Sequence, residues 1–237
     1  MSNNFFRFKQ FTVFQDHCAM KVGTDGVLLG AWVEVGGCSN VLDVGTGTGL
    51  IALMIAQRNS KAIIDAIDID GGSVMQAQQN TVHSPFAQRI DVLQCSYQDF
   101  AHEVDKKYDL IVSNPPYFQS SLKSPNLSRT NARHNDSLSF FEIISKGSTL
   151  LSESGRIALI LPYECKQAVL DHAATVKLFA NRITNVFPLP HMPAKRLLVE
   201  LSAQGIRCVE DNLIIELSRH QYTNEFNTLT KEFYLDR

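Results

Sequence analysis

The feature that most constrains this fold is an alternation beginning at residue 40. Strand-length apolar runs at 41–44, 62–67, 90–93, 110–113, 157–161, 183–187 and 197–201 are separated by helical patterns near 50–58, 72–82, 139–151 and 164–179. Strand and helix taking turns in this way predict a mostly parallel sheet with helices on both faces, an α/β fold. The last connections break the rhythm. The run ending at Phe187 passes through Pro188, Pro190 and Pro193 to the run starting at Leu197, and a further strand-like stretch covers 212–217. That arrangement predicts a hairpin region closing a seven-stranded sheet, with an antiparallel final strand.

With 237 residues, 44% of them hydrophobic and 19% charged, the chain has enough apolar material for one full core. We expect a single domain over 1–237: an N-terminal lid or extension (1–39), a core (40–217) and a tail (218–237). In that tail Phe226, Leu229 and Phe233 are spaced like one face of a short helix packing back on the core. The five cysteines, Cys18, Cys38, Cys95, Cys165 and Cys208, form no C-x-x-C pair, which argues for reduced thiols and against a zinc site. No apolar run reaches membrane-spanning length and no signal-peptide segment opens the chain, so a soluble, cytoplasmic protein is expected. The net charge of −2 argues against indiscriminate nucleic-acid binding. Charge is unevenly placed, however: Lys123, Arg129 and Arg133 fall in an acid-free stretch (114–135), as do Lys177, Arg182, Lys195 and Arg196 (172–199). Such a basic face is either a nucleic-acid footprint or a solvated surface.

The first strand leads into Asp43-Val44-Gly45-Thr46-Gly47-Thr48-Gly49 and then into a helix. Glycines there allow a tight turn and a close backbone approach to a ligand. The G-x-G-x-G spacing lacks the last step of the pyrophosphate-binding fingerprint, and no Gly-Lys-Ser/Thr follows, which excludes a phosphate-binding P-loop. Asp68, nineteen residues beyond Gly49, ends the next strand, where a carboxylate can accept hydrogen bonds from both hydroxyls of a ribose; the same holds for NAD, so Asp68 alone does not select the cofactor. Asp70 suits the N-cap of the helix that follows.

The fourth strand ends in Asn114-Pro115-Pro116-Tyr117. Two prolines remove consecutive donors and stop the strand, leaving a rigid turn that presents an amide, free carbonyls and a ring. This tetrapeptide resembles the signature of S-adenosylmethionine-dependent amino-methyltransferases. Together with the glycine loop and Asp68 it makes the chain resemble the Rossmann-like class I S-adenosylmethionine-dependent methyltransferases over nearly its whole length. The resemblance implies that S-adenosylmethionine is bound by Asp43, Gly45, Gly47, Gly49, Asp68 and Asn114. After the third strand this fold usually offers an acid to the adenine amine of the cofactor. Here Ser96 stands in that place, a departure from the pattern, and Asp99 either takes over the contact or faces water.

The opening segment separates subfamilies. Phe5 to Gln15 reads as a strand hairpin or lid, and Thr24 or Asp25 begins a helix; both residues, with Lys21, either cap that helix or close over the methionine end of the cofactor. This segment, with Tyr222 to Phe226 and Phe233 to Leu235, is similar to the bacterial tRNA(1)(Val) (adenine(37)-N(6))-methyltransferase family. The resemblance implies methylation of an adenosine N6 just 3′ of the anticodon of a valine tRNA, the anticodon loop of that tRNA being the partner. The chemistry follows from residue types. Asn114 Oδ1 and the Pro115 carbonyl each accept one N–H of the exocyclic amine, so its lone pair leaves conjugation with the ring. Tyr117 stacks on the base, an interaction of roughly 1–3 kcal/mol. No metal and no covalent enzyme intermediate is required. Phe118 is expected in the same pocket, and Lys123, Arg129, Arg133, Lys195 and Arg196 on phosphates or simply in solvent. His134 and His191 have no carboxylate spacing that suggests acid–base work. Rival readings are a protein glutamine N5-methyltransferase acting on release factors, another RNA or DNA adenine N6-methyltransferase, an rRNA guanine methyltransferase, and a binding module without turnover. The first would carry a separate N-terminal helical domain, and a DNA adenine methyltransferase a target-recognition insertion.

Overall fold

The computed structural model describes residues 4–18, 21–116 and 138–235. The chain opens with an antiparallel hairpin, β1 (Phe5–Arg7) and β2 (Thr12–Phe14), followed by α1 (Thr24–Trp32). Then come β3 (Asn40–Val44), α2 (Leu50–Arg58), β4 (Ile63–Asp68), α3 (Gly71–Val82), β5 (Ile90–Gln94), α4 (Tyr97–Glu103) and β6 (Tyr108–Ser113). Beyond the undescribed residues lie α5 (Phe140–Leu150), β7 (Leu151–Pro162), α6 (Lys166–Thr175), β8 (Phe179–Phe187), β9 (Arg196–Ser202) and β10 (Val209–Ile214). A small ribbon, β11 (Glu216–Ser218) with β12 (Gln221–Tyr222), and α7 (Asn224–Thr230) complete the described chain.

The main sheet runs β10-β8-β9-β7-β6-β3-β4-β5. It has eight strands where seven were expected. The antiparallel strand is β9, inserted between β7 and β8 and opposed to both, whereas β10, the last strand of this sheet in chain order, runs parallel to β8 at the sheet edge. The strand-like run at 212–217 is not one strand: Ile214 ends β10, and after Ile215 the chain swings into β11. The sequence hides β10 because Val209 to Asn212 are exposed and carry no apolar alternation. It hides helix α4 for a related reason, that segment being short and polar apart from Tyr97, Phe100 and Ala101.

Both faces of the sheet are covered, as parallel strands require. Alternate residues of the central strands feed two separate cores. Leu110 and Val112 of β6, Ala158 and Ile160 of β7 and Leu198 of β9 join the core under α1, α2 and α3. Ile111, Ile157, Leu159, Val199 and Leu201 join the opposite core under α4, α5 and α6. The first core also takes both chain ends. Phe8 and Phe11 of the N-terminal turn stack with centroids 4.8 Å apart, Phe226 and Phe233 are buried beside them, and the Lys9 amide donates to the Phe233 carbonyl at 2.8 Å. The tail helix is shorter than its apolar spacing implied: α7 ends at Thr230, and Phe233 is buried from the turn that follows. No helix among the described residues is long and apolar enough to cross a membrane.

Candidate active site

The carboxyl ends of β3, β4, β5 and β6 lie side by side, the edge at which open α/β sheets hold ligands. From β3 the chain enters the glycine loop with three left-handed residues, Gly45 (φ +72°), Gly47 (+57°) and Gly49 (+81°). Only glycine takes these conformations without a Cβ penalty of roughly 1–2 kcal/mol each. Three of the loop's amides are held by the end of β4. Those of Gly45 and Thr46 both donate to the Ile67 carbonyl at 2.9 Å, and that of Gly47 donates to Asp68 Oδ2, also at 2.9 Å. Asp68 Oδ1 accepts from the Asp70 amide at 3.0 Å. Asp68 thus holds the loop as well as lying where a ribose ligand is expected; a carboxylate's remaining lone pairs stay available for hydroxyls.

Asp43, at the base of the loop, is fully buried. The Thr46 hydroxyl donates to its Oδ2 at 2.6 Å, while Oδ1 has no hydrogen-bond partner among the described residues. Its pKa is raised to about 7: burial is the largest cause and the charge of Asp68 adds to it, while the Thr46 hydroxyl and the nearby Ala52 amide, which falls short of a hydrogen bond, pull it down. A buried acceptor left open beneath a glycine cradle, next to a second carboxylate, fits a nucleoside-bearing cation such as S-adenosylmethionine.

Ser96 and Asp99 form one unit. Ser96 N-caps α4, its hydroxyl accepting from the Asp99 amide at 3.0 Å and donating to Asp99 Oδ2 at 2.6 Å. The two candidates for the adenine contact therefore sit together. At the end of β6 the Ser113 hydroxyl donates to the Val44 carbonyl at 2.7 Å, tying the strand that ends in Asn114 to the strand that starts the glycine loop. Asn114 is half-buried and Pro115 buried. Tyr117, Phe118, Lys123, Arg129, Arg133 and His134 lie outside the described residues.

Thr24 and Asp25 do not cap α1. Its N-cap is Gly23, without a side-chain hydrogen bond. Asp25 instead pairs with Arg196, whose Nε donates to Asp25 Oδ2 at 2.7 Å. An expected cofactor residue is thereby joined to an expected RNA-binding residue, and part of the Arg196 guanidinium is committed inside the protein. Lys195 and Lys21 are exposed, as are Thr24 and His191.

A further group was not anticipated. Along one face of α3, Ser73, Gln76 and Asn80 are buried polar residues. Asn80 Oδ1 accepts from the Phe14 amide at 2.8 Å, and its Nδ2 donates to the carbonyls of Phe14 and Thr48, both at 2.9 Å. Gln76 Oε1 accepts from the His17 amide at 3.1 Å, and Ser73 Oγ contacts Cys18 Sγ at 3.4 Å. These side chains pin residues 14–18 to α3 beside the glycine loop. A Cβ at Gly72 would lie 2.9 Å from the His17 carbonyl, so the approach needs glycine there. The signal was present in the sequence as a polar stripe at spacings of three and four where an apolar one is usual.

The parallel sheet, the left-handed glycine loop and the carboxylate at the end of the next strand define a class I methyltransferase. A family model described as methyltransferase small domain matches residues 27–169. Among solved structures, a predicted O-methyltransferase from Agrobacterium tumefaciens superposes with a TM-score of 0.67 over 90% of this chain and 99% of its own, at 20% identity, a likeness of fold. Two curated relatives, from Parabacteroides distasonis (52% identical over 236 residues) and Trichodesmium erythraeum (48% over 237), are each matched over 99% of both chains and named tRNA1(Val) (adenine(37)-N6)-methyltransferase. The chain belongs to that family.

Proposed function

We propose that the protein transfers a methyl group from S-adenosylmethionine to the N6 amine of adenosine 37, next to the anticodon of a valine tRNA. In this proposal 1–237 is one methyltransferase domain, with a core at 40–217, an N-terminal lid at 1–39 and a tail at 218–237. The observation that supports the reading is the Ser113–Val44 hydrogen bond, which ties the strand leading into Asn114 and Pro115 to the strand leading into the glycine loop. S-adenosylmethionine when bound supplies a methyl group made electrophilic by its sulfonium. Gly45, Gly47 and Gly49 give it a close backbone cradle, Asp68 takes the ribose hydroxyls, the Ser96–Asp99 pair faces the adenine, and Lys21, Thr24 and Asp25 close the methionine end. Asp43 acts from beneath.

Asn114 Oδ1 and the Pro115 carbonyl accept the two N–H groups of the target amine and aim its lone pair. Neither residue is consumed; both act by positioning, the main source of rate in a displacement of this kind. Tyr117 stacks on the everted base and Phe118 lines its pocket. Eversion is less costly in an anticodon loop than in a duplex. Lys123, Arg129, Arg133, Lys195 and Arg196 follow the phosphates. Purified protein, labelled S-adenosylmethionine and tRNA from a strain lacking this activity provide the test. N6-methyladenosine in one valine tRNA, with kcat reduced at least a hundredfold by Asn114→Ala (about 3 kcal/mol, the size of a lost positioning contact), is the expected result. Label appearing in a release factor and not in RNA refutes the reading.

A further inference from the structure

A cavity of about 380 Å³ opens at the same edge of the sheet, between the start of α1, the β8–β9 turn and the C-terminal ribbon with α7. Its size falls within the range of small-molecule sites, roughly 300–1,000 Å³. One wall is aromatic: Tyr222 and Phe226 stack with centroids 5.1 Å apart, and Tyr234 lies beside them; Leu28, Val186, Pro188 and Ile215 supply aliphatic surface. Two charged side chains line it unpaired among the described residues. Lys195 and Glu216 make no side-chain hydrogen bond or ion pair among the described residues, with each other or with any neighbour. The other two charges, Asp25 and Arg196, neutralise one another.

Thr24 and Asp25, assigned above to the methionine end of the cofactor, line the near side of the cavity, which therefore adjoins the cofactor site, while its far wall lies well beyond the glycine loop. β9, whose first residues line it, is three strands from β3 in the order β3-β6-β7-β9, about 14 Å at the usual strand spacing. It is two strands, about 10 Å, from the end of β6 where Asn114 stands. Helix α1 runs between the two regions: a Cβ at Gly26 would touch Leu50 at the head of α2, and the adjacent Asp25 holds Arg196 at the cavity wall.

An aromatic wall, an unpaired ammonium and an unpaired carboxylate match the three parts of a nucleotide. The ring stacks a base, the cation meets a phosphate, and the carboxylate accepts from base N–H groups. We propose that this cavity binds a second nucleotide of the substrate tRNA, one neighbouring the methylated adenosine in the anticodon loop, with Glu216 reading its base. The inference rests on the tRNA assignment above.

The test uses the full chain and a panel of tRNA transcripts, each carrying one anticodon-loop substitution. In the wild type, substitution at one neighbouring position lowers kcat/KM about tenfold or more, as loss of a hydrogen bond to a charged group does. In Glu216→Ala the same substitution costs less than about threefold, Glu216→Gln is intermediate, and thermal stability and S-adenosylmethionine affinity match the wild type. Equal sensitivity of Glu216→Ala and wild type across the whole panel overturns the pocket while leaving tRNA methylation intact. A loss of S-adenosylmethionine affinity in Glu216→Ala comparable to its loss of activity assigns the cavity to the methyl donor and overturns the proposal as well. No methyl transfer by the wild type either to the unsubstituted transcript or to tRNA from a strain lacking this activity refutes the tRNA assignment and the pocket with it.

Discussion

Replacing Asp43 by asparagine isolates the cost of a buried carboxylate. The group is fully buried, with one oxygen satisfied by Thr46 and the other unpartnered among the described residues. Its pKa stands at about 7 in the folded protein against an ordinary value of 3.8. Because the folded value is the higher, the unfolded chain gives up this proton first. The stability contributed by the group is complete below about pH 4, declines by about 1.4 kcal/mol per pH unit, and is gone above about pH 7. Across that whole window the loss amounts to at most about 4 kcal/mol. Asparagine preserves the shape and an acceptor for the Thr46 hydroxyl but has no proton to lose. Urea unfolding of both ligand-free proteins at about pH 4.5 and about pH 7.5 measures the difference. The variant gains on the wild type by a few kcal/mol as pH rises. Parallel pH profiles for the two proteins would show that Asp43 is solvated or paired, and that burial does not govern its titration.

Three further outcomes follow from the same geometry. Asn80→Ala removes three hydrogen bonds and strands the Phe14 amide and two carbonyls, so stability falls by about 3 kcal/mol and amide exchange at residues 14–18 accelerates; a loss under about 1 kcal/mol would mean the clamp is not maintained in solution. In Gly47→Ala the added Cβ meets, among the described residues, only Cys18 Sγ at 4.0 Å, so the penalty is the left-handed backbone, about 1–2 kcal/mol, and the main effect is on ligand affinity; calorimetry should show S-adenosylmethionine binding weakened at least tenfold, and unchanged affinity would place the cofactor away from the loop. Affinity for tRNA falls steeply with salt, and Lys195→Gln reduces the slope of log K against log salt by about one; an unaltered slope removes Lys195 from the phosphate path.

The local and near-local features of this protein were legible in its sequence. Apolar runs alternating with helical patterns prescribe a parallel sheet because each strand must bury both faces, and the G-x-G-x-G loop prescribes a left-handed turn that three glycines indeed adopt. Asp70 caps α3 as expected, since a cap depends only on the residues next to it. Features that depend on distant partners were not legible. The sequence does not show that β9 inserts between β7 and β8, because strand order is settled by which edges meet after collapse. Nor does it show that Asp25 binds Arg196, 171 residues away, in place of capping its own helix, or that Asn80 holds Phe14 across 66 residues. Asp25 had a nearby use and a remote one; packing α1 across the head of β9 brought a guanidinium within 2.7 Å, and a charge-assisted bond outweighs a cap. Sequence alone determined the class of fold and the chemistry of its loops. Tertiary structure alone decided which side chains share a site, because such contacts exist only once the chain is closed.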